Sequence, residues 1–312
     1  MRLRFLLVLS TFVLVASSAL AQVTHPVAFV SLPFDLMGGL VVLRNLELNG
    51  QHGDFILDTG SNYGLVVERA AFASQLQGAV ASGLGAGSTL EVQRLRVTSF
   101  QFGATHYTGL QAMATSLMEV RRFAGPRLLG FIGTELLRDY EVVIDYAHRQ
   151  VSCYPLRAGK TPKRLPFTRT DSLHFTLLQG KPLAQGYIGK TPVRLLLDTG
   201  ATSNSLDAAF VQQLAPELRP RLLGSTQPFA GVGSGAQQAP QAILSELRLP
   251  PTAWRELPVM LVKFARPVSG LALPYQGILG YVFLAHSSQS GVISFHYGRQ
   301  QFYWLTPRRP SR

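Results

Sequence analysis

Phe55-Ile56-Leu57-Asp58-Thr59-Gly60 returns 140 residues later as Leu195-Leu196-Leu197-Asp198-Thr199-Gly200. In each copy three apolar residues run straight into an aspartate. An apolar run of this kind, closed by a glycine turn, reads as a buried strand. Each carboxylate is therefore expected at the end of a dry strand, where burial raises its pKa. If the copies face each other, Asp58 and Asp198 also repel, share one proton and titrate as a pair. Gly60 and Gly200 permit a sharp turn and let backbone amides approach the carboxylates. Thr59 and Thr199 carry hydroxyls able to reach across an axis and lock both turns. A chance repeat of such a triplet is expected only about once in a thousand chains of this length.

The repeat extends outward. Ala70-Ala71-Phe72 and Gln75-Leu76 return as Ala208-Ala209-Phe210 and Gln213-Leu214. Gly130-Phe131-Ile132-Gly133 with Leu137 returns as Gly277-Ile278-Leu279-Gly280 with Leu284, and Arg149-Gln150 as Arg299-Gln300. The order is kept and the spacing drifts by a few residues, as loop insertions produce. Each copy is about 135 residues, an ordinary domain size. The division expected is 22–156 for the first lobe, a basic, proline-containing linker at 157–166, and 167–312 for the second lobe. Two copies of one unit imply a pseudo-two-fold axis, which brings equivalent elements face to face. Within each copy the reading is the same. A strand turns at Asn49-Gly50 or Gly189-Lys190, and the apolar strand enters Asp-Thr-Gly. A short amphipathic helix follows, then a glycine-rich hairpin, an apolar-apolar-Gly turn with a short helix, and a last strand around Val142-Val143-Ile144 or Val292-Ile293.

A half-protonated carboxylate pair has a definite use. The ionised member takes a proton from a water held between the two, while the protonated member polarises a carbonyl. This is general acid–base hydrolysis without a covalent intermediate.

Composition supports a packed, strand-rich protein. Hydrophobic residues are 46% and charged residues 15% of 312, which argues against disorder. Arg2 and Arg4, the apolar run Phe5 to Val15 and Ala19-Leu20-Ala21 read as an export signal at 1–21. The run is short for a membrane anchor of about 20 residues. The expected location is therefore periplasmic or extracellular. Cys153 is the single cysteine, so no disulfide forms within the chain, and its strand-like setting reads as core. With no N-x-[ST] sequon, a bacterial exported protein is expected. The net charge of +12 falls to +10 without residues 1–21. Arg157, Lys160, Lys163 and Arg164, and the terminal Arg308, Arg309 and Arg312, read as solvated basic segments or as attraction to an anionic cell surface. No nucleic-acid-binding signature accompanies them.

These motifs resemble the aspartic peptidases of the pepsin and retropepsin superfamily. Asp58-Thr59-Gly60-Ser61 and Asp198-Thr199-Gly200-Ala201 look like its catalytic turns, and Phe131-Ile132-Gly133 and Ile278-Leu279-Gly280 like the elements that thread beneath them. Gly83, Gly85 and Gly87, and Gly231, Gly233 and Gly235, occupy the place of its flaps. The resemblance implies a mostly β fold of two homologous acid-protease-type β-barrel lobes related by a pseudo-two-fold axis, with the cleft between them. It implies an aspartic endopeptidase acting on an extended peptide, a bacterial single-chain form with two retropepsin-like lobes. Some features depart from the pattern. Neither flap carries the pepsin tyrosine. Ala201 lacks the hydroxyl of Ser61, so the higher pKa is expected on Asp198 and the activity optimum is expected to be less acidic than in pepsins. Asp145, replaced by Phe295 in the second copy, is expected to be structural.

The rival from another class is a catalytically inactive peptide-binding module with the same cleft. No HExxH, GxSxG or cysteine pair points to a metal or serine mechanism, so no metal or cofactor is expected. One chain carries both Asp-Thr-Gly turns, so a monomer suffices.

Overall fold

The computed structural model describes residues 28–84, 89–156, 165–229, 237–264 and 274–308. The expected export signal, residues 157–164 of the linker, and Gly85, Gly87, Gly231, Gly233 and Gly235 lie outside them. The protein is mostly β, built as two homologous lobes of curled sheet with a cleft between them. Among the described residues, no helix is long and apolar enough to cross a membrane.

Each lobe starts from one hairpin. Leu40–Leu48 turns at Asn49-Gly50 into Gln51–Leu57, and Lys181–Ile188 turns at Gly189-Lys190 into Thr191–Leu197. Asn49 and Gly50 both have positive φ (49° and 79°), the geometry a tight two-residue hairpin needs. The Asn49 side chain also holds Thr98, accepting from its amide at 2.8 Å.

A later strand threads back beside each of these. Leu128–Ile132 lies parallel to Gln51–Leu57, with Ile132 opposite Leu57, and antiparallel to Leu65–Glu68. Gly277–Leu279 repeats this between Thr191–Leu197 and Ser205–Asp207. Gly130 and Gly277 mark the crowded crossings. An added Cβ on Gly277 would lie 2.7 Å from the Ser205 carbonyl. The order differs from the sequence reading after the Asp-Thr-Gly turns. Each Asp-Thr-Gly turn is followed first by a short strand and only then by a helix, Arg69–Gln75 or Ala208–Gln213. The β-branched run Val66-Val67 prefers the extended form.

The lobes are joined by more than a linker. Tyr140–Asp145 of the first lobe pairs antiparallel with Val292–His296 of the second, Ile144 opposite Ile293. Val30–Pro33 and Gln150–Pro155 extend this sheet on one side, and Gln301–Pro307 and Phe167–Leu178 on the other. Phe167–Leu178 is one unbroken strand serving both this platform and the second barrel. Its first-lobe counterpart is broken at Phe34 into Val30–Pro33 and Asp35–Met37.

At the seam Glu141 is fully buried. It accepts two hydrogen bonds from Arg169 Nη2, at 2.7 and 2.9 Å, and one from the Ser294 hydroxyl at 2.9 Å. The Arg169 guanidinium lies over the Tyr303 ring at 4.2 Å, a cation–π contact. Asp145 accepts from the His148 amide at 2.9 Å and pairs with its Nδ1, closing a turn. Cys153 is buried in the core, and burial pushes its thiol pKa up, as expected of an inert cysteine.

Candidate active site

The two apolar approaches are buried, Phe55 and Leu57 completely, Leu195 and Leu197 likewise. They deliver Asp58 and Asp198 to the lobe interface. The threading strands hold the aspartate backbones, because Asp58 N donates to Ile132 O at 2.9 Å and Asp198 N to Leu279 O at 3.0 Å. Within each turn the glycine amide donates to its own aspartate, Gly60 N to Asp58 Oδ1 and Gly200 N to Asp198 Oδ1, both at 2.8 Å.

The threonines lock the turns to one another. Thr59 Oγ1 donates to Leu197 O at 2.7 Å and accepts from Thr199 N at 3.0 Å. Thr199 Oγ1 donates to Leu57 O at 2.7 Å and accepts from Thr59 N at 3.1 Å. Both are fully buried, so each hydroxyl satisfies a carbonyl and an amide that no water can reach. Thr199→Val keeps the shape and removes the hydroxyl, leaving one buried amide and one buried carbonyl unpaired. It should cost about 2 kcal/mol. Urea unfolding measures this, with Thr199→Ser expected to keep most of the stability.

The lock places each carboxylate over the other lobe's turn. A Cβ added to Gly200 would sit 2.7 Å from Asp58 Oδ1, and one added to Gly60 would fall on the Asp198 carboxylate. Glycine is required at both positions because the opposing carboxylate fills the space. Burial pushes both carboxyl pKa values up. On Asp58 the Asp198 charge adds to burial. On Asp198 the amides of Gly200 and Gly60 hold the negative charge and oppose it. The pair takes up one proton between them.

Ser61 and Ala201 act through their carbonyls. Ser61 O accepts from Thr134 N and Oγ1, both at 2.9 Å, and Ala201 O accepts from Tyr281 N at 2.8 Å. One supporting residue has no counterpart in the repeat. Gly133 N donates to Gly64 O at 2.9 Å, whereas the equivalent Gly280 N donates to the Asn204 side chain at 3.1 Å. Asn204 is buried, and its Nδ2 in turn donates to Pro258 O at 3.1 Å. Asn204 stands 140 residues after Gly64, so a side-chain oxygen has replaced a main-chain one, and comparison of the copies by residue type does not find it.

Other groups face the dyad. The Lys181 cation lowers both carboxyl pKa values. The Tyr275 hydroxyl is pushed up to about 12 by burial and the Asp198 charge. The buried Tyr297 hydroxyl is pushed up by burial and the Asp58 charge. Of the two glycine-rich segments, Gly83 and Leu84 are among the described residues. Leu76–Leu84 pairs with Thr89–Val97, Gly83 opposite Leu90, and Arg221–Phe229 pairs with Gln237–Leu249. Among the described residues, no group of three or more His, Cys, Asp or Glu is placed to hold a metal ion.

The sequence pattern of the aspartyl protease family matches residues 45–136 and 184–283, one segment in each lobe, each containing an Asp-Thr-Gly turn. No curated protein matches the chain. Among solved structures, basic 7S globulin from soybean is similar, at 13% identity and a TM-score of 0.47 over 91% of this chain and 95% of that one.

Proposed function

The chain belongs to the aspartyl protease family, and on that premise we propose that it is an endopeptidase whose Asp58 and Asp198 hydrolyse peptide bonds. The observation that carries this reading is the placement of two half-buried carboxylates over each other's turn glycines, with both pKa values raised. An extended peptide enters the cleft between the lobes, held by main-chain hydrogen bonds. The ionised carboxylate removes a proton from a water molecule, whose oxygen bonds to the scissile carbonyl carbon. The protonated carboxyl gives its proton to the carbonyl oxygen. A gem-diol results, with the proton taken from water now on the first carboxylate. That proton passes to the amide nitrogen, the carbon–nitrogen bond breaks, and the diol returns one proton to the pair. The products are a carboxylic acid and an amine, and the dyad again holds one proton.

The reaction needs one proton on the pair, so kcat/KM should follow a bell-shaped pH profile, falling when both carboxyls are protonated and when both are ionised. Because both values lie above the ordinary carboxyl range, the alkaline limb should extend beyond strong acid. Cleavage of a mixed peptide library from acid to neutral pH tests the reading. Cut peptides support it. Peptides bound but not cut at any pH would instead support an inactive peptide-binding protein of the same fold. Export, with removal of residues 1–21, belongs to the same proposal, and the N-terminal residue of the secreted protein checks it.

A further inference from the structure

Beside its Asp-Thr-Gly turn each lobe carries an equivalent wall of strand residues, and strand register relates one wall to the other. Val42 pairs with Ile56 and Leu183 with Leu196, each two residues before its Asp-Thr-Gly turn. Val42 therefore corresponds to Leu183, and Leu40, two residues earlier on the same face, to Lys181. Leu128, although a register shift separates it from Gly130, and Tyr275 each pack on the cluster of their own lobe's wall.

In the first lobe this wall is wholly apolar. Leu40, Val42, Ile56, Leu128 and Phe131 form one buried cluster. In the second lobe Leu183, Leu196 and Ile278 form the matching cluster, with Ala201 and Tyr275 packed against it. Leu40 of the first wall has become a lysine. Gly180, at the hairpin tip beside Lys181, approaches Thr134 of the opposite lobe, so the lysine stands where the lobes meet. It is half-buried and, among the described residues, has no ion-pair partner. Its charge acts on both aspartates, and the Tyr275 hydroxyl is within reach of the Asp198 charge.

We propose that Lys181, with Tyr275 packed on the same wall, makes the second lobe's wall a subsite for a carboxylate side chain, so that the enzyme cuts next to Asp or Glu. A peptide closing over this wall strips water from the ammonium, which is costly unless the peptide supplies an anion. An acidic side chain meets that demand with a charge-assisted hydrogen bond, and the tyrosine hydroxyl donates a second. The opposite wall, with buried Leu40 in place of the lysine, offers no such charge. The enzyme therefore favours bonds with an acidic residue on the second-lobe side.

The inference rests on the proposed activity, and the experiment separates the two. A peptide series varied to Asp, Glu, Asn, Leu and Lys at the residues flanking the cut is offered to the wild type, Lys181→Leu and Lys181→Glu. Above about pH 4, where the side chain is ionised, the wild type should favour the Asp and Glu peptides over Leu by about 10–100-fold in kcat/KM. Lys181→Leu should reverse that ratio, and Lys181→Glu should move the preference to Lys. No acidic preference in the wild type, or a preference surviving Lys181→Leu, would overturn the proposal. So would a Lys181→Leu enzyme that changes only its pH profile. If the wild type cuts nothing, the proposed activity falls, and fluorescence polarisation with the same peptides decides the subsite. Tighter binding of the Asp peptide, lost in Lys181→Leu, upholds it, and equal binding of all peptides sinks it.

Discussion

Asp198→Asn should abolish peptide cleavage, with kcat falling at least about 10³-fold, while the fold survives. An asparagine cannot take a proton from water, and it cannot pass one to the leaving nitrogen, so both halves of the acid–base cycle stop. The amide has the size of the carboxylate and keeps an oxygen to accept from Gly200 N, which now donates at 2.8 Å. Stability should move the other way. The folded carboxyl values are raised above their unfolded ones, so the native pair holds a proton that the unfolded chain has lost. That contribution is full below the ordinary carboxyl value of about 4 and is lost as pH rises through the raised values. The wild type should therefore lose stability as pH climbs above about 4, and Asp198→Asn, with one carboxylate gone, should lose less. Urea unfolding of both proteins at acid and neutral pH measures this. A variant that still cleaves at more than a tenth of the wild-type rate would remove Asp198 from the chemistry.

Arg169→Met should destabilise the protein by about 3–5 kcal/mol, the usual cost of leaving a buried charge without its partner. Glu141 is fully buried at the seam, and Arg169 supplies two of its described hydrogen bonds. Ser294 remains at 2.9 Å, but a neutral hydroxyl does not balance the charge. Nor does His296, whose imidazole burial holds below its ordinary pKa. Because these groups sit where Tyr140–Asp145 meets Val292–His296, the loss should loosen one lobe against the other. Replacing the carboxylate too, as Glu141→Leu with Arg169→Met, should restore most of the stability, since a packed apolar pair needs no partner charge. Thermal or urea denaturation of the single and double variants provides the test. A single variant within about 0.5 kcal/mol of the wild type, the range of an ordinary surface change, would mean that the pair does not hold the seam.

Much of the site is local, and so it could be read directly. Asp58, Thr59 and Gly60 are consecutive, as are Asp198, Thr199 and Gly200, and the apolar run before each aspartate reports burial without reference to any other strand. Gly133 and Gly280 follow their apolar pairs for the same local reason, a backbone approach too close for a Cβ. The first hairpin was visible in Asn49-Gly50. The short strands Leu65–Glu68 and Ser205–Asp207 were read through as helix, because an amphipathic stretch of a few residues does not separate the two periods.

Sequence by itself determined that the chain is a duplicated β protein of two lobes, that its two Asp-Thr-Gly turns are equivalent, and that threonine hydroxyls stand where they can bridge. Repetition carries that information, since residues that match in order and spacing must occupy matching places. Only the tertiary structure decided the rest. It joined the lobes through one sheet, gathered Glu141, Arg169 and Ser294 from strands far apart in the chain, put the Asn204 side chain where Gly64 uses its backbone, and set Lys181 in the place of Leu40. These are contacts between strands of different register, one of them shifted by a bulge between Leu43 and Leu46. Alternation along a strand tells which face is buried. Which distant residue meets that face is chosen by strand pairing and the two-fold arrangement of the lobes, and neither is written in any local stretch of chain.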